Sequence, residues 1–253
     1  MSPSIFIVGA NRGIGLGLVK ESLKRDPTSQ VFATARDVAN ATDLLALQRK
    51  HPGQLHLLQL DILDETSVDA AVTKLKESTD TLDLVIINAG VLLGMGKIEE
   101  LSASDLLSNF NTNVVGPHII TRAFSPFLLS STSDKRILAY ISSIGGSTTL
   151  VQSINDFVKE KFEVDYAPAS AYTTSKAGLN QLGRQWAQSL EPKGVAVPLI
   201  HPGQVSTDMN PLTGDGYITT DESAEGIFNV LNDLKVEDTG KGILSYDGTI
   251  QPW

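Results

Sequence analysis

Tyr172 and Lys176 stand four residues apart in the segment Tyr172-Thr173-Thr174-Ser175-Lys176. On a helix that spacing sets a phenol and an ammonium on neighbouring positions of one face. A nearby positive charge favours the phenolate, so such a tyrosine is expected to exchange a proton nearer neutral pH than a free one. Carbonyl reduction needs such a group, an acid that protonates the oxygen while hydride arrives at the carbon. Alone the pair is weak evidence, since this spacing usually means a packing aromatic and a solvated charge. It gains weight from a second cluster near the N-terminus, Gly9-Ala10-Asn11-Arg12-Gly13-Ile14-Gly15. Glycines between a strand and a helix permit a tight turn, close approach of backbone to a pyrophosphate, and close packing of helix on strand. The helix start then offers free N–H groups and a partial positive charge to phosphate. A glycine-rich turn that binds nothing is the bland alternative. The position after a first strand and before a helix favours a nucleotide.

The elements that must position these groups follow from the pattern of apolar residues. Strand candidates are Ile5–Val8, Val31–Ala35, Leu55–Leu60, Leu84–Ile87, Arg136–Ile141, Val195–Ile200 and Gly242–Ser245. Most are near-continuous apolar runs, as expected of parallel strands covered on both faces. Helical patterns lie between them, at about 13–24, 42–50, 65–78, 104–129, 171–190 and 221–234. Start signals precede two of them, at Asp64-Glu65-Thr66-Ser67 and Thr220-Asp221-Glu222. Repeated βαβ order implies right-handed crossovers and one doubly wound parallel sheet, an α/β fold with helices on both faces. No linker, repeat or low-complexity segment divides the chain, so one domain over 1–253 is expected.

Composition narrows the function further. With 41% hydrophobic and 19% charged residues, the chain can bury a substantial core. A formal net charge of −9 argues against nucleic acid or an anionic membrane as partner. With no cysteine, disulfides and thiolate metal sites are excluded. His51, His56, His118 and His201 show no ligand spacing and are read as structural or surface, so no metal is expected. The first strand begins almost at once, leaving no room for a signal peptide, and no apolar stretch approaches membrane-spanning length. A soluble cytoplasmic protein is the expectation.

The spacing Gly-x-x-x-Gly-x-Gly resembles that of the short-chain dehydrogenase/reductase family. The family's other markers appear in order: Asp61 after the third strand, Asn88-Ala89-Gly90 after the fourth, and Asn113 in the long helix. Ser142-Ser143, Tyr172…Lys176 and Pro202-Gly203 complete the series. The resemblance spans nearly the whole chain and implies a Rossmann-like fold. Val8 departs from it, standing where the family usually has threonine, which is expected to loosen one turn hydrogen bond without abolishing binding. By the resemblance, Gly9, Asn11, Arg12, Gly13, Ile14 and Gly15 hold the cofactor phosphates. Asp61 and Ile62 contact the adenine, and Asn88, Ala89 and Gly90 pass beneath the ribose. Pro202, Gly203, Val205 and Thr207 hold the nicotinamide end. At the end of the second strand stands Arg36, followed by Asp37. A permanently charged, bidentate guanidinium suits phosphate, and NADP-preferring members often carry Arg-Asp here, so NADP(H) is expected. Arg36 as a plain loop charge, with Asp37 as an NAD selector, is the other reading.

The resemblance also implies a tetrad. Tyr172 is the acid in reduction. Lys176 holds the nicotinamide ribose and depresses the tyrosine pKa. Ser143, ahead of its neighbour Ser142, hydrogen-bonds the substrate oxygen. Asn113 holds a water that connects Lys176 to solvent. Carbonyl reductases and fungal ketoreductases acting on aromatic polyketides form the subgroup it resembles. NADPH-dependent reduction of a hydrophobic ketone, aldehyde or quinone is the implied activity. NAD-dependent alcohol oxidation and a non-catalytic dinucleotide sensor are the alternatives.

Ser143 and Tyr172 are separated by about 28 residues, more than is typical of the family. Within the excess, Ile154, Phe157, Val158 and Phe162 follow helical spacing, which predicts an inserted amphipathic helix over about 152–168. It either walls the pocket or covers the helix surface through which relatives associate; a monomer or weak homodimer is expected. A substrate lid is expected over about 208–220, rich in Gly, Pro and Thr. The expected pocket residues Val91, Leu92, Leu93, Met95, Ile144, Leu150, Met209, Leu212 and Tyr217 are mostly apolar and include no charged anchor.

Overall fold

Neither face of the run Ile5-Phe6-Ile7-Val8 offers a polar side chain to water, so a strand made from it must be covered on both sides. In the computed structural model, which describes residues 2–164, 169–210 and 214–253, this run lies in β1 (Ser4–Val8), buried throughout. Ile5 and Ile7 enter one apolar layer with Leu18, Val19 and Ile227. Phe6 and Val8 enter the other, with Phe124 and Leu179. Phe6 stacks on Phe124 with ring centroids 4.2 Å apart.

The other strands are β2 (Gln30–Ala35), β3 (Leu55–Gln59), β4 (Leu84–Ile87), β5 (Arg136–Ile141), β6 (Val195–Ala196), β7 (Leu199–His201), β8 (Ile243–Ser245) and β9 (Ile250–Gln251). They form one sheet in the order β3-β2-β1-β4-β5-β7-β8-β9, with β6 also on β5. The pairs are parallel except β8–β9. From β1 the chain winds outward to β3, then returns to β4 on the other side. That reversal opens a crevice at the carboxyl ends of β1 and β4, where such sheets bind ligands.

The strand expected over Val195–Ile200 is two pieces in one register, since Arg136 pairs with Val195 and Tyr140 with Leu199. Pro198 lies between them and has no N–H for the ladder, although its carbonyl accepts from Tyr140 N at 3.0 Å. At two residues, β9 is too short to show a period and was not expected.

The helices are α1 (Gly13–Arg25), α2 (Thr42–Lys50), α3 (Glu65–Lys76), α4 (Ala103–Phe110), α5 (Gly116–Ser130), α6 (Val151–Phe162), α7 (Ser170–Leu190) and α8 (Thr220–Asp233). Asp64 caps α3 through Thr66 N, and Thr219 with Glu222 makes a capping box on α8. The single helix expected over Ser104–Leu129 is interrupted by a π turn, Asn111–Val115, between α4 and α5. Pro117 cannot donate to the carbonyl of Asn113 four residues back, so the α pattern fails there. Gly116 N–H bonds instead to the carbonyl of Asn111.

The inserted helix is shorter than expected: α6 ends at Phe162, and Glu163 follows in the left-handed conformation with φ 53°. Residues 165–168 of that expectation, and 211–213 of the expected lid, lie outside the described residues. Among the described residues no helix is long and apolar enough to cross a membrane.

Candidate active site

One face of α7 carries Ala171, Ser175, Lys176, Leu179, Asn180, Gly183, Ala187 and Leu190, all buried. Their helical spacing seats α7 on the sheet and brings Tyr172, half-buried, to the rim of the crevice. Lys176 sits one turn further in and is 4% exposed. Its Nζ donates to the carbonyl of Ile141 at the end of β5, at 2.8 Å, and lies 5.6 Å from the centroid of the Tyr172 ring. The same strand end supplies Ser143, whose hydroxyl is hydrogen-bonded to the Tyr172 phenol. Ser143 Oγ also accepts from Gly145 N at 3.0 Å. Ser142 faces the other way: buried, it donates to Asn180 Oδ1 at 2.5 Å. Of the two serines, Ser143 is the one in the crevice.

The expected depression of the tyrosine pKa is not found. Burial pushes Tyr172 up to about 12, opposed by the hydrogen bond from Ser143. Burial pushes Lys176 down to about 8. Loss of hydration outweighs the neighbouring charge because Lys176 and the phenol share the same dry wall, where a charged form of either is costly. The phenol therefore stands protonated through the ordinary pH range.

Asn113, fully buried within the π turn, is occupied by structure. Its side chain accepts from Val91 N at 2.8 Å and donates to Val91 O at 2.9 Å and to Ser175 Oγ at 2.8 Å. One turn earlier, Asn109 makes a parallel clamp on Leu93, accepting from its N–H at 3.3 Å and donating to its carbonyl at 3.1 Å. Sequence reasoning missed Asn109; its spacing from Asn113, four residues on the same helix face, was the available signal. Together the two asparagines fix the chain leaving β4, including Val91 and Leu93 at the crevice edge.

The glycine turn leaves β1 with Gly9 at φ 77°, a conformation that favours glycine. Gly15 is needed for space, since a Cβ there would lie 2.1 Å from the carbonyl oxygen of Gly9. Asn88 Nδ2 donates to that same carbonyl at 2.8 Å, tying β4 to the turn. Val8 has no hydroxyl, and the turn takes one from β2 instead: Gly9 N donates to Thr34 Oγ1 at 3.2 Å. Sequence reasoning did not find Thr34. Arg12 is the first-turn cap of α1 yet makes no side-chain cap bond, and the first turn carries no acidic residue. The start of α1, with Gly13, Ile14 and Gly15, thus remains open to an anion. Ala89 packs on Gly9, and Gly90 lies beside Asn113 Oδ1 and Lys176 Nζ, which links the glycine turn to the tyrosine end.

Asn11 and Arg36 are exposed at the rim. Among the described residues the Arg36 guanidinium has no hydrogen-bond or ion-pair partner. Asp37, by contrast, is engaged by Asn40, accepting from its Nδ2 at 2.6 Å and its N–H at 3.2 Å, which holds its carboxyl below the usual range. Asp61 accepts from Leu63 N at 3.0 Å, and Ile62 is buried under Gly116. On the far wall, the Pro202 carbonyl accepts from Ser223 Oγ at 2.6 Å, and Gly203 (φ 91°) lies against Tyr246. Val205 is buried and bridges to Ile218, while Thr207 pairs with Asn210. His201 is buried, with no partner for Nδ1 among the described residues; burial pushes it down to about 4, so it is neutral.

Of the expected pocket residues, Leu93, Met95 and Met209 are exposed at the mouth and Leu212 lies outside the described residues. The inserted helix α6 packs beside the turn Ile144–Gly146 that follows Ser143. Leu107 and Phe110 of α4 remain exposed. From α6, the Lys161 ammonium lies 4.2 Å from the Tyr217 ring centroid and 5.3 Å from that of Phe157. This places a cation beside Tyr217, where no charged anchor was expected.

A family model described as enoyl-(acyl carrier protein) reductase matches residues 9–225. A short-chain dehydrogenase of Neurospora crassa, srdF, is 30% identical, covering 100% of this chain and 98% of its own length. The chain belongs to the short-chain dehydrogenase/reductase family. An uncharacterized oxidoreductase of Schizosaccharomyces pombe is 32% identical, over 98% of this chain and 97% of its own. Among solved structures, the NADPH-bound carbonyl reductase from chicken fatty liver superposes with a TM-score of 0.89 at 33% identity, covering 100% of this chain and 99% of its own. The chain is thus an oxidoreductase whose structural neighbours include carbonyl reductases.

Proposed function

We propose that the chain is an NADPH-dependent carbonyl reductase acting on a hydrophobic ketone, aldehyde or quinone. One observation carries this reading: Ser143, Tyr172 and Lys176 converge at the crevice whose other end is the open start of α1. The residues present fit the dinucleotide. The turn is stripped of side-chain bulk at Gly9 and Gly15, the helix start has no acidic residue, and Arg36 is unengaged while Asp37 is tied to Asn40. The chicken enzyme is described as NADPH bound, which supports the same choice.

When bound, the nicotinamide would supply the hydride that reaches the carbonyl carbon. The chain's own residues do the rest. Ser143 and Tyr172 stand within hydrogen-bond reach of each other, so a carbonyl oxygen entering between them would accept from both hydroxyls. Tyr172 gives its proton to that oxygen as charge develops on it. Lys176, anchored on Ile141 and beside Gly90, would hold the nicotinamide ribose. Asn113 acts at one remove, by holding Val91 and Ser175. Its carbonyl lacks an α-helical donor because of Pro117 and would hold the water that reloads the proton. The half-buried side chains of Val91, Ile144 and Leu150 suit an apolar substrate.

Tyr172→Phe tests the reading. Turnover of NADPH with a panel of aromatic ketones, quinones and aldehydes should fall by about 100-fold or more, with NADPH binding retained. A variant that keeps turnover would refute the assignment of the acid.

A further inference from the structure

Arg12 and Asp208 lie 196 positions apart in sequence, yet their side chains meet at 3.2 Å. Arg12 precedes α1 in an extended conformation and spends no hydrogen bond on capping the helix. Asp208 sits at the tip of a tight turn closed by two backbone bonds, Thr207 N to Asn210 O at 2.9 Å and Asn210 N to Thr207 O at 3.0 Å. The turn rests against the glycine loop, for a Cβ on Gly13 would lie 3.6 Å from the Thr207 methyl. The ion pair therefore bridges the crevice over the open start of α1. A phosphate arriving there meets a guanidinium already satisfied by a carboxylate, and meets that carboxylate as a like charge.

We propose that Asp208 tunes the affinity for the cofactor: it holds Arg12 until a dinucleotide phosphate displaces it. This rests on reading the crevice as a dinucleotide site. The pair is well exposed, 69% and 74% at the two side chains, so its strength is that of a surface ion pair and it yields readily to a multiply charged ligand. Asp208 thus lowers affinity by the free energy of the pair plus its repulsion of phosphate. Arg12 gains a carboxylate partner while the crevice is empty and a phosphate partner when it is filled.

The test is a fluorescence titration with NADPH and with NADH at low ionic strength, on the wild type, Asp208→Asn, Arg12→Met and the double variant. Asparagine preserves the size of the side chain, and melting curves check that the turn is kept. Asp208→Asn should tighten binding by about 1.5- to 5-fold, an effect that shrinks as salt is added. The gain should be markedly smaller in the Arg12→Met background, because no guanidinium remains to be released. A gain shared by both cofactors assigns the competing group to the pyrophosphate, and a gain for NADPH alone assigns it to the 2′-phosphate. Unchanged or weakened binding in Asp208→Asn, or an equal gain with and without Arg12, overturns the proposal while leaving the function intact. A wild-type chain that binds neither dinucleotide overturns the functional reading itself.

Discussion

Gly146→Ala is the sharpest probe of how the fold positions Ser143. Gly146 is buried where the turn after β5 meets the first turns of α7. A Cβ there would lie 2.6 Å from the carbonyl carbon of Lys176, 2.7 Å from Ala177 N and 2.8 Å from Asn180 Nδ2. Ordinary carbon contacts begin near 3.5 Å, so the new methyl is about 1 Å too close. The first two neighbours are helix backbone, which cannot swing aside, so the turn itself must retreat. Gly146 N is bonded to the Ser143 carbonyl at 3.0 Å, so Ser143 retreats with it, away from Tyr172. Overpacking of this kind costs about 1–3 kcal/mol, which for a chain of this length lowers the melting temperature by roughly 2–12 °C. A displacement of about 1 Å at the reacting groups costs on the order of 100-fold in rate. The assay is kcat from NADPH oxidation, with NADPH affinity measured beside it. The expected result is a large loss in kcat with affinity changed by less than about threefold, because the glycine turn is remote from Gly146. A variant with wild-type kcat and an unshifted melting curve would show that the contact between turn and helix does not govern Ser143.

Two further outcomes follow from the charges. Lys176 falls from an ordinary value of 10.5 to about 8 on folding. Between those values the unfolded chain binds the proton and the folded chain does not, so stability should rise with pH across the window, by up to about 3 kcal/mol. Lys176→Met should remove that rise, as read from urea unfolding at pH 8, 9 and 10; equal slopes in both proteins would refute it. The opposite slope from Tyr172, raised above its ordinary 10.0, begins only beyond pH 10. Arg36→Asp should weaken NADPH by about 10- to 100-fold, the worth of a charged hydrogen bond, and move preference to NADH. Comparison of the two dissociation constants checks it, and a native preference for NADH would overturn the cofactor choice.

Local signals carried much of the fold into the sequence. The doubly apolar β1, the glycine turn after it and the buried face of α7 each depend on residues within one or two turns of one another. What stayed hidden depends on partners far apart in the chain. The π turn is the exception, since it arises from Pro117 acting on Asn113 only four residues back, a local signal inside an otherwise unbroken helical pattern. Thr34 supplies the turn hydroxyl from a neighbouring strand, where no local pattern marks it. The tyrosine pKa was read from one charge at helical spacing, and its direction was reversed by walls assembled from β5 and α7. Lys161 reads as the polar side of a helix, and only tertiary contact brings it over Tyr217.

Ser142 and Ser143 differ only in the direction in which the end of β5 points them. One fastens α7 through Asn180, and the other reaches the phenol. Identity therefore says nothing about duty at this doublet; parity counted from Ile141 decides it. Inserting or deleting a single residue there would turn an anchor into a reagent and a reagent into an anchor. Related sequences that carry only one serine at this point can be sorted by whether it falls on the even or the odd step beyond the sheet.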